Sequence, residues 1–215
     1  MKIKLLILSA AAVTLLVGCK KEGCTDPLAD NYSEKAKEDD GSCTYASSTL
    51  DCSMFNEEGT YTLADRGDGV DYVVNCKMFI GGDLTIEPGV TIEFTSEAGL
   101  EVGESGSLKA VGTADNPITF TGVDKNAGSW LGILYNSPDV KNELTHCTID
   151  YAGGDAFNSN GDVGAVVLWA QTKIKISNCT IRYSGEYGIN ASYNDSEFEF
   201  NSNTISSCSA PMLIN

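Results

Sequence analysis

From residue 51 onward, apolar and polar positions alternate in short runs. Leu84-Thr85-Ile86, Val90-Thr91-Ile92-Glu93-Phe94, Leu100-Glu101-Val102, Ile118-Thr119-Phe120 and Ile174-Lys175-Ile176 each put apolar side chains on one face and polar ones on the other. Glycine, asparagine and aspartate separate the runs. A period of two is the signature of half-buried strands. No segment of residues 51–215 shows the period of an amphipathic helix, so this part of the chain is predicted to be all-β.

The strands repeat. Shifted by 24 positions, Lys173-Ile174-Lys175-Ile176 falls on Glu197-Phe198-Glu199-Phe200, Cys179 on Asn203, Thr180 on Thr204 and Ile181 on Ile205. Shifted by 32 in the other direction, Cys179-Thr180-Ile181-Arg182-Tyr183 falls on Cys147-Thr148-Ile149-Asp150-Tyr151, which assigns an insertion to the Gly- and Asn-rich stretch Gly153 to Gly161. A repeat of about 24 residues with three short strands is one turn of a parallel β-solenoid, whose coils stack about 4.8 Å apart. In this register Lys173 faces Glu197, while Glu143, Lys175 and Glu199 form one outward column of alternating charge. An odd shift would drive those charges into the core. Adding 24 to Gly188-Ile189-Asn190 reaches Met212-Leu213-Ile214. The last residues are therefore predicted to open a further coil with an uncapped edge, which implies end-to-end self-association or a longer family of chains.

Residues 1–50 read differently. Met1-Lys2-Ile3-Lys4 is basic and Leu5 to Val17 is apolar, the order of a secretion signal and too short a run for a membrane-spanning helix. Leu16-Val17-Gly18-Cys19 resembles a bacterial lipobox. The resemblance implies a signal peptide of residues 1–18 and a lipid anchor, palmitate among its chains, on Cys19. Each buried methylene contributes about 0.8 kcal/mol, so two or three acyl chains hold a protein firmly on a membrane. The expected organisation is a signal peptide, a stapled Asp-rich segment with a small polar linker at Ala46 to Leu50 (residues 19–50), and the β domain (residues 51–215).

Cys24 and Cys43 bracket a polar segment with almost no residue large enough to build a core, so a disulfide between them is expected as its staple. Gly23-Cys24-Thr25-Asp26-Pro27, Ala29, Asn31-Tyr32, Ala36 and Asp39-Asp40-Gly41-Ser42-Cys43 resemble a short module of secreted and surface proteins of Bacteroidetes. Asp26, Asp30, Asn31, Asp39 and Asp40 are candidate Ca2+ ligands, being the hard oxygens that calcium takes. The alternative is an Asp-Gly turn with solvated carboxylates. Of the 8 cysteines, Cys52 and Cys76 are expected to form a second bridge, and Cys147 and Cys179 to stack, reduced, inside adjacent coils.

Leu84 to Phe94, Gly103 to Thr113, Asn116 to Phe120, Trp130 to Ile133 and Ser177 to Ile181 together resemble the right-handed β-helix proteins of secreted bacterial families. The resemblance implies a right-handed parallel β-helix of about five coils. That fold carries lyases, hydrolases, adhesins and spacers alike. The chain has 14 basic against 30 acidic residues, and loss of Lys2 and Lys4 with the leader leaves 12 against 30, a net charge of −18. Such a surface repels phosphate backbones, so nucleic acid is excluded as a partner.

Candidate catalytic positions are few. Lyases of this fold use calcium-binding aspartates with a Lys or Arg base, and its hydrolases use clustered aspartates. The matching positions here are Asp150 and Arg182 on one outward column, and Asp155 and Asp162 in or beside the insert. Arg182 is expected to pair with Asp150 across the rungs instead. The lone His146 is placed outward on a strand beside Cys147. Trp130, Trp169 and Tyr193 lie near predicted corners, where each can stack on a sugar ring or pack into the corner. Arg66-Gly67-Asp68 resembles the tripeptide of integrin ligands but reads equally as an acidic turn. Thr148, Thr180 and Thr204 line up as a short row, similar to those of ice-binding solenoids, which β-propensity also explains. Two readings result: an outer-membrane-anchored, non-catalytic surface protein that binds a polysaccharide or a partner protein along a rigid face, or a polysaccharide lyase or glycoside hydrolase with its cleft under the Gly153 to Gly161 loop.

Overall fold

The computed structural model describes residues 21–25, 29–44, 46–67, 69–157, 161–192 and 195–214. The chain divides into two compact units, Met1–Cys43 and Thr44–Asn215. Cys19, Asp26, Asp68 and Tyr193 lie outside the described residues.

In the first unit the Cys24–Cys43 disulfide stands where a core would. Among the described residues of this unit only Cys24 and Ala29 are buried, and an isolated bridge joins Glu22 to Glu38. A segment so poor in apolar surface depends on its cross-link for order.

The second unit is built from short strands. It opens with β1 (Ser48–Thr49), β2 (Thr60–Leu63) and β3 (Tyr72–Val74), followed by β4 (Lys77–Ile80), β5 (Asp83–Ile86) and β6 (Thr91–Phe94). Then come β7 (Gly99–Val102), β8 (Ser107–Val111), β9 (Ile118–Gly122), β10 (Gly132–Tyr135), β11 (Glu143–Thr145) and β12 (Cys147–Asp150). The last are β13 (Val166–Leu168), β14 (Lys173–Ser177), β15 (Thr180–Arg182), β16 (Tyr187–Ala191), β17 (Glu197–Asn201), β18 (Thr204–Ser206) and β19 (Ala210–Ile214). Three parallel sheets result. Sheet one runs β1-β3-β6-β9-β12-β15-β18, sheet two β4-β7-β10-β13-β16-β19, and sheet three β2-β5-β8-β11-β14-β17. From β4 to β18 the chain visits sheets two, three and one in fixed rotation, which is a parallel β-solenoid.

The core is the stack of inward columns that alternation predicts. Ile92, Phe120, Ile149 and Ile181 line sheet one and are all but fully buried. Leu100, Ile133, Val166 and Ile189 do the same on sheet two, and Ile86, Ala110, Leu144 and Ile176 on sheet three. Where β11 begins late, buried Asn142 takes the place of an apolar residue. Its Oδ1 accepts from Leu108 N at 3.0 Å, and its amide donates to Ser137 O, Asp139 O and Lys173 O, so no polar group is left bare.

The predicted register holds through the middle of the solenoid. Lys173 pairs with Glu197, Lys175 with Glu199 and with Glu143, and Asp150 with Arg182. Cys147 and Cys179 are buried and free, and Cys52–Cys76 is bridged. The extra residues of the long coil lie mainly between β12 and β13, around Gly153 to Gly161 as expected.

Three expectations are corrected. The Ala46 to Leu50 linker is partly strand, because Ser48 and Thr49 pair with Tyr72 and Val73 and bury Leu50. The final step is 23 residues, Ile189 meeting Met212, because residues 207–209 make a shorter turn than residues 183–186. His146 is not on a strand. It is the corner between β11 and β12 in left-handed conformation (φ 48°), a role Asn178 and Ser202 repeat on later coils.

Candidate functional site

The outward face of sheet one gathers the most distinctive groups. Thr91 pairs with Thr119, Thr119 with Thr148, Thr148 with Thr180 and Thr180 with Thr204. The row therefore covers consecutive strands from β6 to β18 and is longer than the three rungs legible in the sequence. At about 4.8 Å per rung its length is about 19 Å. β-branched threonine suits this position, being stiff at χ1 and well matched to like neighbours on a pleated surface.

A second outward column runs beside the threonines: Glu93, Thr121, Asp150, Arg182 and Ser206. Its charges are matched. Lys125 Nζ donates to Glu93 Oε1 at 2.9 Å and to Gly122 O at 2.6 Å. Arg182 donates Nε–H to Asp150 Oδ1 at 2.9 Å and its NH2 group to Oδ2 at 2.6 Å. This two-point contact holds a buried carboxylate and raises the Arg182 pKa further, the hydrogen bond to Asp150 being the largest cause.

At the corner after these strands stand Tyr151 and Tyr183. Their rings stack at 5.0 Å between centroids and 10° between planes, and the Arg182 guanidinium lies 5.7 Å from the Tyr183 ring. Both tyrosines have left-handed backbone (φ 65° and 57°), and Tyr151 is half-buried against the core. Tyr183 is 37% exposed. The 32-residue shift already aligned these tyrosines, but only the corner geometry makes them a shelf.

The residues singled out from sequence scatter. Trp130 is buried, stacked on Phe94 at 4.1 Å, and donates Nε1–H to Asp150 O at 2.8 Å. Its ring is therefore not open to a sugar, since the coil interior beneath the corner is apolar and takes it in. Trp169 packs partly buried beside Leu131, Leu134, Phe157 and Val167. Phe157 brings that part of the insert onto sheet two, while Gly154 and Asp155 border a small open pocket with Ser129, Trp130 and Leu131. The Phe157 carbonyl accepts from Lys77 Nζ at 3.0 Å.

Asp150 and Arg182 belong to sheet one, Asp155 is exposed on the insert, and Asp162 lies by β16 of sheet two, bonded to Ser192. The four do not converge. In the stapled unit Asp39 accepts from Gly41 N and Asp40 from Ser42 N, while Asn31 donates to Ser42 O. The Ser42 hydroxyl and backbone hold the Asp40 carboxyl below its ordinary value. Asp30 and Asp39 are exposed. Among the described residues no three His, Cys, Asp or Glu side chains assemble as a metal centre. No protein-family model matches the chain, and neither a curated protein nor a solved structure does.

Proposed function

We propose that the chain is a lipoprotein anchored through Cys19 in the outer membrane, and that its right-handed β-helix of about five coils binds glycan without cleaving it. The leader and Leu16-Val17-Gly18-Cys19 support the anchor, and the GCTDP to DDGSC segment supports kinship with Bacteroidetes surface proteins. The single observation that carries the binding reading is the Tyr151–Tyr183 shelf beside Arg182 and the threonine row.

Stacked rings offer a flat apolar patch to the C–H face of a sugar, and the flanking hydroxyls, Arg182 and Asp150 offer donors and acceptors for its hydroxyl groups. The guanidinium is already neutralised by Asp150, and the chain is strongly acidic. A neutral polysaccharide is therefore favoured over a uronate-rich one. A partner protein reading the same face is the second possibility in this class. Self-association of copies belongs to the same proposal, supported by the partly buried Phe198, Phe200, Ile205 and Met212. Sedimentation as a monomer at high concentration counts against that contact.

The test is retention on a glycan panel, with reducing and unsaturated ends assayed on the same samples. Retention of neutral glycans, weakened about tenfold by Tyr183→Ala at unchanged melting temperature, supports the reading. New chain ends with wild-type protein overturn it in favour of a lyase or hydrolase.

A further inference from the structure

The insert between β12 and β13 is fastened to the outside of sheet two at two places. On one side Phe157 seals the small apolar cluster. On the other, Asn190 of β16 donates its amide to Val163 O at 3.1 Å, and Ser192 donates its hydroxyl to Asp162 Oδ1 at 3.1 Å. Asp162 is 9% exposed and Asn190 3%.

Both residues carry an oxygen that nothing satisfies. Asp162 Oδ2 and Asn190 Oδ1 are buried with no hydrogen-bond donor. Other buried polar side chains of this molecule are treated differently. Asp71 receives Arg66 N on one oxygen and Thr91 N on the other, each at 2.7 Å, and the Asn142 amide is used on both ends. The Tyr135 hydroxyl also lacks a partner, but it lies on the inner face of sheet two, away from the insert. Among the described residues no Lys or Arg pairs with Asp162. A buried carboxylate oxygen left bare is costly, and so is the bare amide oxygen of Asn190, which the bonds of Asn190 to Val163 and of Ser192 to Asp162 place on the same stretch of the insert–β16 contact. Because the Asn190 amide nitrogen is committed to Val163 O, its oxygen must be the end left over.

We propose that Asp162 Oδ2 and Asn190 Oδ1 are ligands of a calcium ion that locks the insert onto sheet two. Calcium accepts a carboxylate, an amide carbonyl, backbone carbonyls and water in one flexible shell, and a single cation relieves both bare acceptors at once. One protein carboxylate makes a weak site, with a dissociation constant of about 0.1–1 mM, the range of extracellular modules. The site is distinct from the Asp-rich stapled segment, whose Asp39 and Asp40 oxygens accept from their own turn.

The experiment uses the whole chain with Cys19→Ala, melted and titrated calorimetrically with and without millimolar calcium chloride. Wild-type protein gains melting temperature with calcium. Asp162→Asn, which keeps the shape, loses most of that gain; without calcium it melts at or above wild type, because the uncompensated charge is gone. The double variant Asp39→Asn, Asp40→Asn keeps the full response. A wild-type chain that ignores calcium, an Asp162→Asn chain that still responds, or a response lost with Asp39 and Asp40 each overturns the site. Where Asp162→Asn folds poorly, Asn190→Ala serves as the second variant, and a calcium response that survives it overturns the site.

Discussion

Arg182 lies directly across from Asp150 on the next rung of sheet one and grips its carboxylate at two points, 2.9 and 2.6 Å. The Asp150 side chain is 10% exposed and the Arg182 side chain 40%. Removing the arginine strands a nearly buried charge. Arg182→Ala should therefore destabilise the solenoid by about 2 kcal/mol, and Asp150→Asn in the same chain should recover part of it. Urea unfolding of the two single variants and the double measures the coupling.

Lys175 tests the register. Its ammonium bonds Glu143 at 2.8 Å, while Glu199, also opposite in register, contributes only through its charge. Lys175→Glu should cost up to about 1 kcal/mol at low salt. Glu143→Lys should restore more of the loss than Glu199→Lys. A cycle with no coupling to either glutamate contradicts the pairing.

Glu143 also sets a pH dependence. Burial by itself raises its pKa, but the Lys175 hydrogen bond, helped by Thr145 and the Lys175 and Lys109 charges, outweighs it and holds the group below its ordinary value of 4.5. A depressed carboxylate adds stability that is complete above that ordinary value and is lost as pH falls through the lowered one. Lys175→Met should flatten this part of the acid limb. Denaturation midpoints from neutral pH to about pH 3 provide the comparison.

Cysteine chemistry separates buried from bridged thiols. Cys147 is buried beside Cys179, and its pKa stands well above the ordinary thiol range, with the Cys179 hydrogen bond and then burial as causes. Thiol reagent should label Cys147 and Cys179 only after denaturation, and Cys208 earlier. Peptide mapping should find Cys24 with Cys43 and Cys52 with Cys76. Opening the latter by Cys52→Ala and Cys76→Ala together should cost about 3 kcal/mol.

The proposed anchor is tested by fractionation. Cys19→Ala should move the protein from the membrane to the soluble fraction, and mass spectrometry of the wild-type mature N-terminus should find acyl chains on Cys19. An unmodified Cys19 refutes the anchor.

What the chain declares by itself is whatever repeats locally. Alternation of polar and apolar residues identified the strands, and the 24- and 32-residue shifts placed Lys175 against Glu199 and Glu143, and Arg182 against Asp150. These were legible because in a parallel stack each residue sits on its own equivalent, so a sequence offset is also a spatial contact. The Cys24–Cys43 disulfide was legible for another reason, that a segment without core-forming residues needs a cross-link.

Turn length and the course of the insert were not legible, and they decide the candidate sites. Thr91 meets Thr119 and Thr119 meets Thr148 at offsets of 28 and 29, which no uniform shift reveals, so the threonine row looked short. At Trp130 the sequence leaves sugar stacking and corner packing both open, and the stack on Phe94 decides for packing; Asp162, placed only in or beside the insert, is buried by its contact with the end of β16. Burial at a corner or under a loop depends on which distant segment lies over it. That information is absent from local periodicity and is supplied only when the coils close on one another.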